Sequence, residues 1–514
     1  MSFIHNNISA IFISFVACGY AWLWGGIRGD IMIRYIPWLW ALMFEVMVCF
    51  PQRQPGEPSK HARERVWLAM RRDPMVWAVV AFLVLMAVPF VNRALCPNCD
   101  AHLIAQGFNT EPPVKFLPYC LNRIHHLNVF MWFLPALTAA VAAKHSLTRS
   151  GKRRLVEIVV WNGVLLSILG FIQQVTGARA PFWSEPPKYA SYFFSTFGYP
   201  NMAGSYFAML FCLSVAVWRE HVEEVRRKMK GTPAVRSLSK YRLFWKKHYS
   251  LIPSLITFFA ALSSLSRAGI MLVSASAAVL FLHAGIVFLS RMKKADRVRA
   301  GAFCALGIVL IALAAAAFMP DDLQKELGNI GTSEVLDRLS GKAEYHSRLA
   351  LQIWREHPVF GCGGWGYKHL CSSRLPEPVK VGIRAGWGNG GANVHNDYLQ
   401  FMVEHGAVGF VLLVAIVVML VAPVCRAWKR LSLTARFLPV NRQPPPPQAL
   451  FALPGGAFAM LAAAVVPLVH AFGDCPLRSP AVLTLFFLTL ACTPGFLPRE
   501  HRESNDEEET KERE

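Results

Sequence analysis

One histidine, His395, stands directly before a long apolar stretch, in the segment GANVHNDYLQF. Near neutral pH an imidazole can take a proton from an attacking hydroxyl group, so this position suits a general base. The neighbouring Asn396, Asp397 and Tyr398 add hydrogen-bonding groups, although Asp397 could equally cap the helix that follows. Composition alone leaves a second interpretation open, in which His395 only caps that helix or lies on a wet surface.

Two arginines indicate binding of an anion on the same side of the molecule. Arg267, in SSLSRAGIML, separates two apolar runs. An arginine at the centre of a bilayer costs about 3 kcal/mol and usually faces a cavity or a charged partner. Arg348 belongs to a stretch whose pattern predicts a short helix over Tyr345–Glu356, ended by Pro358. Guanidinium groups bind phosphate oxygens well, so both arginines fit a phosphate-bearing lipid, and a helix-anchoring role is the alternative for Arg267.

Three further segments add glycines or polar groups. Gly361 and Gly363 lie in a glycine-rich stretch that either lets backbone N–H groups approach a ligand or forms a simple turn at the membrane surface. Asn201 follows FSTFGYP and is predicted to cap a helix. The segment VHAFGDCPLRSP brings three polar residues, His470, Asp474 and Arg478. These could join the same site, but we interpret the segment as an ordinary turn.

The elements that must position these residues are apolar. Of the 514 residues 54% are hydrophobic and 17% charged, and the mean hydropathy is +0.34. Soluble chains carry about 25% charged residues, so this composition indicates a membrane protein and excludes disordered, collagen-like and small disulfide-rich classes. Twelve blocks approach the length and apolarity needed to cross a bilayer. They lie near 8–28, 31–50, 75–94, 127–146, 155–175, 201–218, 251–266, 268–290, 300–319, 403–425, 449–471 and 479–496.

The distribution of basic residues predicts the orientation of these spans. Of the 53 Lys and Arg residues, 31 lie in five alternate loops, as cytoplasmic loops do. The net charge of +21 therefore reports topology, not binding of nucleic acid, and both termini are predicted in the cytoplasm. The predicted organisation is spans 1–4 in 1–150, spans 5–9 in 151–319, an outer catalytic loop in 320–402, spans 10–12 in 403–498 and a charged cytoplasmic tail in 499–514.

Half of the 12 cysteines lie on the predicted outer side. Cys96 and Cys99 have no second ligand pair at zinc spacing, so no metal site is predicted. An oxidising compartment favours disulfides. Candidate pairs are Cys96 or Cys99 with Cys120, and Cys362 with Cys371.

Together these motifs resemble the O-antigen ligase and polymerase superfamily of bacterial membrane glycosyltransferases, over roughly residues 155–495. The resemblance rests on Phe-Gly-Tyr-Pro-Asn at 197–201, Ser266-Arg267, the run from Arg348 through Trp354 and Pro358 to Gly361 and Gly363, and His395 to Leu399 followed by Glu404, Gly406 and Gly409. It implies an all-α polytopic fold of the GT-C-like kind, with about twelve transmembrane helices and one large periplasmic loop between spans nine and ten. The stretch 375–389 has no counterpart in that pattern.

The resemblance also implies an activity. Such enzymes take a glycan from an undecaprenyl-diphosphate carrier at the periplasmic face of the bacterial inner membrane, without a metal or other cofactor, and direct displacement predicts inversion. Arg267 and Arg348 would hold the diphosphate and His395 would be the base. The supporting residues would be Asn201, Trp354, Gly361, Gly363, Asn396, Asp397 and Tyr398. The implied partners are the carrier-linked donor, a glycan or lipid A-core acceptor and membrane lipid, with no nucleic acid.

Three functions stay open on the sequence. A ligase is favoured over a repeat-unit polymerase, although the two share the donor chemistry. A transporter or flippase is the alternative from another class, because twelve spans is a common transporter number. Transporters usually bind their substrate at the midplane on broken helices, often with inverted repeats. Here the polar residues fall largely in one outer loop and no repeat between the halves is visible.

Overall fold

The computed structural model describes residues 2–23, 50–94, 110–185, 192–229, 248–290, 343–374, 393–436 and 453–498, except 55, together with the isolated Gly25 and Ile104. Two predicted spans, near 31–50 and 300–319, lie outside this part apart from Phe50, as do Cys96, Cys99 and the charged tail. Every regular element in the described ranges is helical, beside two isolated bridges, Arg93–Cys120 and Phe194–Phe197.

Thirteen α-helices occupy the described part of the chain. They are α1 Ser2–Trp22, α2 Ser59–Arg72, α3 Pro74–Ala87, α4 Arg123–Ser146, α5 Arg149–Val175, α6 Pro200–Met229, α7 Ile252–Ser263, α8 Arg267–Ser290, α9 Ala343–Glu356, α10 Gly366–Arg374, α11 Asp397–Arg436, α12 Gly455–His470 and α13 Pro480–Cys492.

Five of these helices are long and apolar enough to cross a membrane, namely α4, α5, α6, α8 and α11. A sixth candidate is the pair α2 and α3, whose axes meet at 68°. Helices α7, α12 and α13, and the part Ile8–Trp22 of α1, are apolar but shorter. A helix of 13 residues, such as α13, spans only about 20 Å of a hydrocarbon core of about 30 Å. The prediction of an all-helical polytopic membrane protein is confirmed, and the count of twelve spans stays a prediction.

The core is centred on α13, which is buried along its whole length. It packs against α4 and α12, while α6 packs against α7, α8 and α12. Where α6 crosses α8, two glycines meet: a β-carbon on Gly269 would lie 2.6 Å from the Cα of Gly204. Small residues let membrane helices approach closely in this way. The crossing brings the beginning of α8 beside the beginning of α6.

A break at Gly406 divides α11 into two parts. Gly406 has φ 65° and ψ −173°, and a β-carbon there would collide with the backbone of Val359. The N–H groups of Ala407 and Val408 donate to the carbonyls of Pro358 and Val359 at 2.9 and 3.1 Å, so the break leaves them satisfied. The outer part, 397–405, carries polar side chains, and the long apolar part follows it.

A second, smaller core holds α9 and α10 against the outer part of α11. Helix α9 confirms the predicted short helix and ends two residues before Pro358. It buries Leu349, Ala350 and Ile353 in this core, with Trp354 partly buried beside them.

Candidate active site

The centre of the candidate site is a hydrogen bond between His395 and Asp474. His395 precedes α11, and its side chain is 50% exposed. Its Nδ1 lies 3.1 Å from Oδ1 of Asp474, which is 6% exposed in the turn between α12 and α13. The interpretation of segment 469–480 as an ordinary turn is therefore wrong, because this turn supplies the partner of His395.

The state of the carboxylate decides which nitrogen of His395 remains available. Burial raises the pKa of Asp474, but the hydrogen bond from His395, its charge, the charge of His470 and the Asn201 amide lower it more, so that the pKa lies well below its usual range. An ionised carboxylate only accepts hydrogen bonds, so Nδ1 of a neutral His395 must carry the proton. Its Nε2 then keeps a lone pair that can accept a proton.

The second oxygen of Asp474 is held by two neighbours. Tyr199 donates to Oδ2 through its hydroxyl at 2.9 Å, and Asn201 donates through Nδ2. Oδ1 of Asn201 in turn accepts a hydrogen bond from Ser266 Oγ at 2.7 Å. The prediction that Asn201 caps α6 is wrong, because that helix begins at Pro200 and the amide is engaged at both ends by other elements.

This chain of hydrogen bonds brings Arg267 to the same end of the bundle as His395. Ser266 accepts from the N–H of Gly269 at 3.0 Å and so caps α8, whose first residue is Arg267. Arg267 is half-buried. Arg348 lies on the exposed side of α9. Helix α9 packs on α11, the helix that His395 precedes.

The residues after His395 fasten the beginning of α11. Asn396, not Asp397, caps the helix, because its Oδ1 accepts from the N–H of Leu399 at 3.1 Å. Asp397 is buried and accepts from the N–H of Leu477 at 2.8 Å. The hydroxyl of Tyr398 donates to a carbonyl in the last turn of α12 at 2.7 Å.

The two glycines of the stretch predicted either to approach a ligand or to form a simple turn pack against the protein itself. Gly361 and Gly363 have φ of 70° and 82°, and β-carbons there would collide with the backbone of Glu404 and with Cys120. Their N–H groups donate to the carbonyls of His357 at 3.1 Å and Glu404 at 2.8 Å. The ligand-cradle interpretation is therefore wrong, and the glycines let the loop approach its neighbours closely.

Residues 252–414 match the family model described as O-Antigen ligase. This match supports the resemblance of the chain to the O-antigen ligase and polymerase superfamily. No curated protein matches the chain. The matched segment begins in α7 and ends in α11, so that it contains Arg267, Arg348 and His395. Asn201 and Asp474 lie outside the matched segment, and the folded chain brings them into hydrogen-bond contact with its residues Ser266 and His395.

A buried ion pair lies beside the candidate site. Nη1 of Arg478 is 3.1 Å from both carboxylate oxygens of Glu404. The side chains are 9% and 1% exposed, and the guanidinium carbon lies 4.2 Å from the ring centroid of Trp365. Gln400 donates to Glu404 at 3.0 Å. The sequence shows no link between Glu404 and Arg478, since 74 residues separate them.

The predicted disulfide between Cys362 and Cys371 is wrong. Each is a thiol: Cys362 donates to the carbonyl of Val403 at 3.3 Å and Cys371 to that of Lys368 at 3.5 Å. Cys120 donates to the carbonyl of Pro89 at 3.2 Å, and its predicted partners lie outside the described residues. Burial raises the pKa of Cys371 to about 12. Because the ionised thiolate is the reactive form, this thiol is inert.

Some of the backbone strain lies at the site. In the described part of the chain six residues other than glycine have positive φ, and they include His395 itself, Leu265 before Ser266, and Trp365 beside Arg478. Such a conformation costs about 1–3 kcal/mol per residue and persists only where the surroundings impose it. The strain at His395, with φ 56°, is therefore maintained by the bonds that fix Asp474 and the beginning of α11.

Proposed function

We propose that this chain transfers a glycan from an undecaprenyl-diphosphate carrier to an acceptor hydroxyl at the periplasmic face of the bacterial inner membrane, as an O-antigen ligase. The observation that carries the proposal is the hydrogen bond from His395 Nδ1 to Asp474, which leaves Nε2 of a half-exposed imidazole available as a base. The superfamily supports ligase- or polymerase-like chemistry in general.

The chemistry follows from that geometry. Nε2 of His395 takes the proton of the acceptor hydroxyl, whose oxygen attacks the anomeric carbon of the donor sugar. The new C–O bond forms as the bond from sugar to phosphate breaks, and the diphosphate leaves with the electron pair. One displacement of this kind inverts the anomeric carbon. Asp474 orients the imidazole and stabilises the imidazolium that forms, as the buried aspartate of a Ser-His-Asp triad does.

The arginines act on the leaving group. Diphosphate is already a good leaving group, so the reaction chiefly needs positioning and neutralisation of the charge that develops. We assign the binding of the diphosphate to the permanent positive charges of Arg267, at the beginning of α8, and Arg348, exposed on α9. The mechanism requires no metal. The alternation of basic loops supports a periplasmic site with both termini in the cytoplasm.

A complementation experiment tests this proposal. His395→Ala, Arg267→Ala and Arg348→Ala are expressed in a strain that lacks the gene, and surface glycan is resolved on a ladder gel. We expect loss of attachment and accumulation of carrier-linked polymer. Loss of the chain-length ladder instead would identify a polymerase. Normal surface glycan at normal protein level in all three variants would refute the site.

Matched controls come from α2, which carries the same residue types on an exposed surface. His61→Ala and Arg63→Ala remove an exposed histidine and an exposed arginine from the predicted cytoplasmic side. Both controls should retain a normal glycan ladder. A transporter would be indicated if reconstituted protein moved a lipid-linked glycan across vesicles without transferring it.

A further inference from the structure

Three ligand-type side chains converge on the side of His395 that faces away from the proposed acceptor. Nδ1 of His395, a carboxylate oxygen of Asp474 and Sγ of Cys475 all lie within 4.8 Å of one another. The nitrogen and the sulfur approach the same Oδ1 of Asp474, at 3.1 and 3.3 Å. Cys475 is 2% exposed, and the transfer reaction makes no use of its thiol.

These separations suit a tetrahedral metal ion. Zn²⁺ takes nitrogen and oxygen ligands at about 2.0–2.2 Å and sulfur at about 2.3 Å, which places neighbouring ligand atoms about 3.4–3.6 Å apart. The three side chains therefore need to move only slightly to bind one ion. Among the described residues, this is the one group of three histidine, cysteine or acidic side chains gathered so closely. A single sulfur with one nitrogen and one oxygen suits Zn²⁺ better than Mg²⁺ or Ca²⁺.

We propose that His395, Asp474 and Cys475 form an inhibitory site for Zn²⁺. The ion is bound by Nδ1, a carboxylate oxygen and Sγ, and the half-exposed position of His395 leaves a fourth coordination position open to water. On binding, the thiol releases its proton to solvent. The imidazole proton moves from Nδ1 to Nε2 by exchange with solvent, so one proton is released in total.

Inhibition follows from the tautomer that the metal imposes. Without metal, Asp474 keeps the proton on Nδ1 and Nε2 can accept. With Zn²⁺ on Nδ1, a neutral imidazole must carry its proton on Nε2, which then only donates. The same residue that would start the transfer is thereby blocked. This consequence rests on the proposed function, in which Nε2 of His395 is the base, whereas the metal site itself does not.

The binding test uses Co²⁺ as a spectroscopic probe for the purified full-length protein. Wild type should bind one Co²⁺ with a cobalt–thiolate charge-transfer band, and Cys475→Ser should lose that band while keeping a side chain of similar size. Cys425→Ser is the matched control, because Cys425 is an exposed cysteine far along α11, and it should keep the band. An undiminished band in Cys475→Ser would overturn the site.

A second variant protects this test against a folding failure. His395 is half-exposed, so His395→Ala should leave the fold intact as judged by thermal melting. Loss of this ligand should weaken Co²⁺ binding at least about 100-fold, since removing even an outer-shell partner of a metal ligand costs 10–100-fold. Equal affinity in wild type and His395→Ala would likewise overturn the site.

The inhibition test measures glycan transfer in proteoliposomes as Zn²⁺ is added, with each variant normalised to its own metal-free rate. Wild type and Cys425→Ser should be inhibited and should recover on chelation, and Cys475→Ser should need at least about tenfold more Zn²⁺. Absence of the cobalt–thiolate band would overturn the metal site and leave the proposed function standing. Binding with the band but without inhibition would overturn the inhibitory role together with His395 as the base.

Discussion

Asp474 and Arg478 lie four residues apart in one turn, and each pairs with a residue at the outer end of α11. Asp474 meets His395, whose side chain is half-exposed, whereas Arg478 meets Glu404 in a pair that is almost fully buried. Both are contacts between a carboxylate and a nitrogen, at the same distance of 3.1 Å.

The difference in burial assigns them different tasks. A buried ion pair holds its elements together mainly because removing one partner strands the other charge in a low-dielectric interior. A pair open to solvent gains little stability, but it keeps one imidazole nitrogen accessible to a substrate. Arg478 and Glu404 thus fix the turn, and the fixed turn presents Asp474 to His395. Four variants can separate these tasks.

His395→Ala should have the largest effect. Loss of a general base lowers transfer by about 10³-fold, within the range of 10²–10⁴ typical of such groups. Because His395 is half-exposed, the melting temperature in detergent should change little. A large fall in melting temperature would show that the pair of His395 and Asp474 also stabilises the fold, and the contrast with Arg478 would then be wrong.

Arg478→Ala should act on stability. The buried carboxylate of Glu404 would lose its partner, and we expect a loss of about 3–5 kcal/mol in free energy of unfolding, seen as a lower melting temperature and lower membrane abundance. The double variant Arg478→Met with Glu404→Leu should recover most of it. Because Nε and Nη2 of Arg478 have no hydrogen-bond partner, replacing the ion pair by an apolar pair loses few hydrogen bonds. If the double variant did not recover stability, the two charges would also interact with groups outside the pair.

Asp474→Asn should lower transfer by about 10²-fold with the protein still folded. An amide can donate to Nδ1 of His395 and so favour the tautomer that carries its proton on Nε2, which is the wrong one for a base. The rate per folded molecule is the measurement, with Glu404→Gln as the control in the neighbouring pair. The comparison would collapse if Glu404→Gln lost transfer while Asp474→Asn kept it.

Asn201→Ala should have the smallest effect, about tenfold on transfer. It removes one of the two donors to Oδ2 of Asp474 and leaves the hydroxyl of Tyr199 in place. Single-turnover rates in proteoliposomes would measure it. An effect as large as that of His395→Ala would place Asn201 in direct contact with the substrate.

The sequence predicted that the apolar elements are helices, while the count of twelve spans stays a prediction. The apolar blocks and the amphipathic stretch that became α9 are local patterns, and local periodicity is what a chain displays before it folds. The break at Gly406 was invisible, because it depends on carbonyls of residues 358 and 359 that reach α11 from another segment. The bend of 68° between α2 and α3 has a local cause instead, because Asp73 caps α3 and Pro74 is its first residue.

The candidate site was predicted in part. His395 and Arg267 stand out as polar residues at the ends of apolar stretches, so their types and positions drew attention. Asp474 is a candidate only by its residue type, because nothing local shows which of many turns folds back on His395 across 79 residues. For the same reason the sequence does not reveal the role of Asn201. Helix capping is a local interaction that the sequence around an asparagine can predict. The contact of Asn201 with Asp474 is a tertiary interaction that it cannot predict.

Three helices begin at this site: α6 at Pro200, α8 at Arg267 and α11 at Asp397. The aligned peptide dipoles of a helix amount to about half a positive elementary charge at its N-terminus, so the backbone itself sets up a positive field around the proposed diphosphate position. Because this field comes from the backbone, no side-chain substitution removes it. Loss of a single arginine should therefore weaken binding of the donor without abolishing it. The transfer rate should fall further, because it depends on where the positive charge is placed.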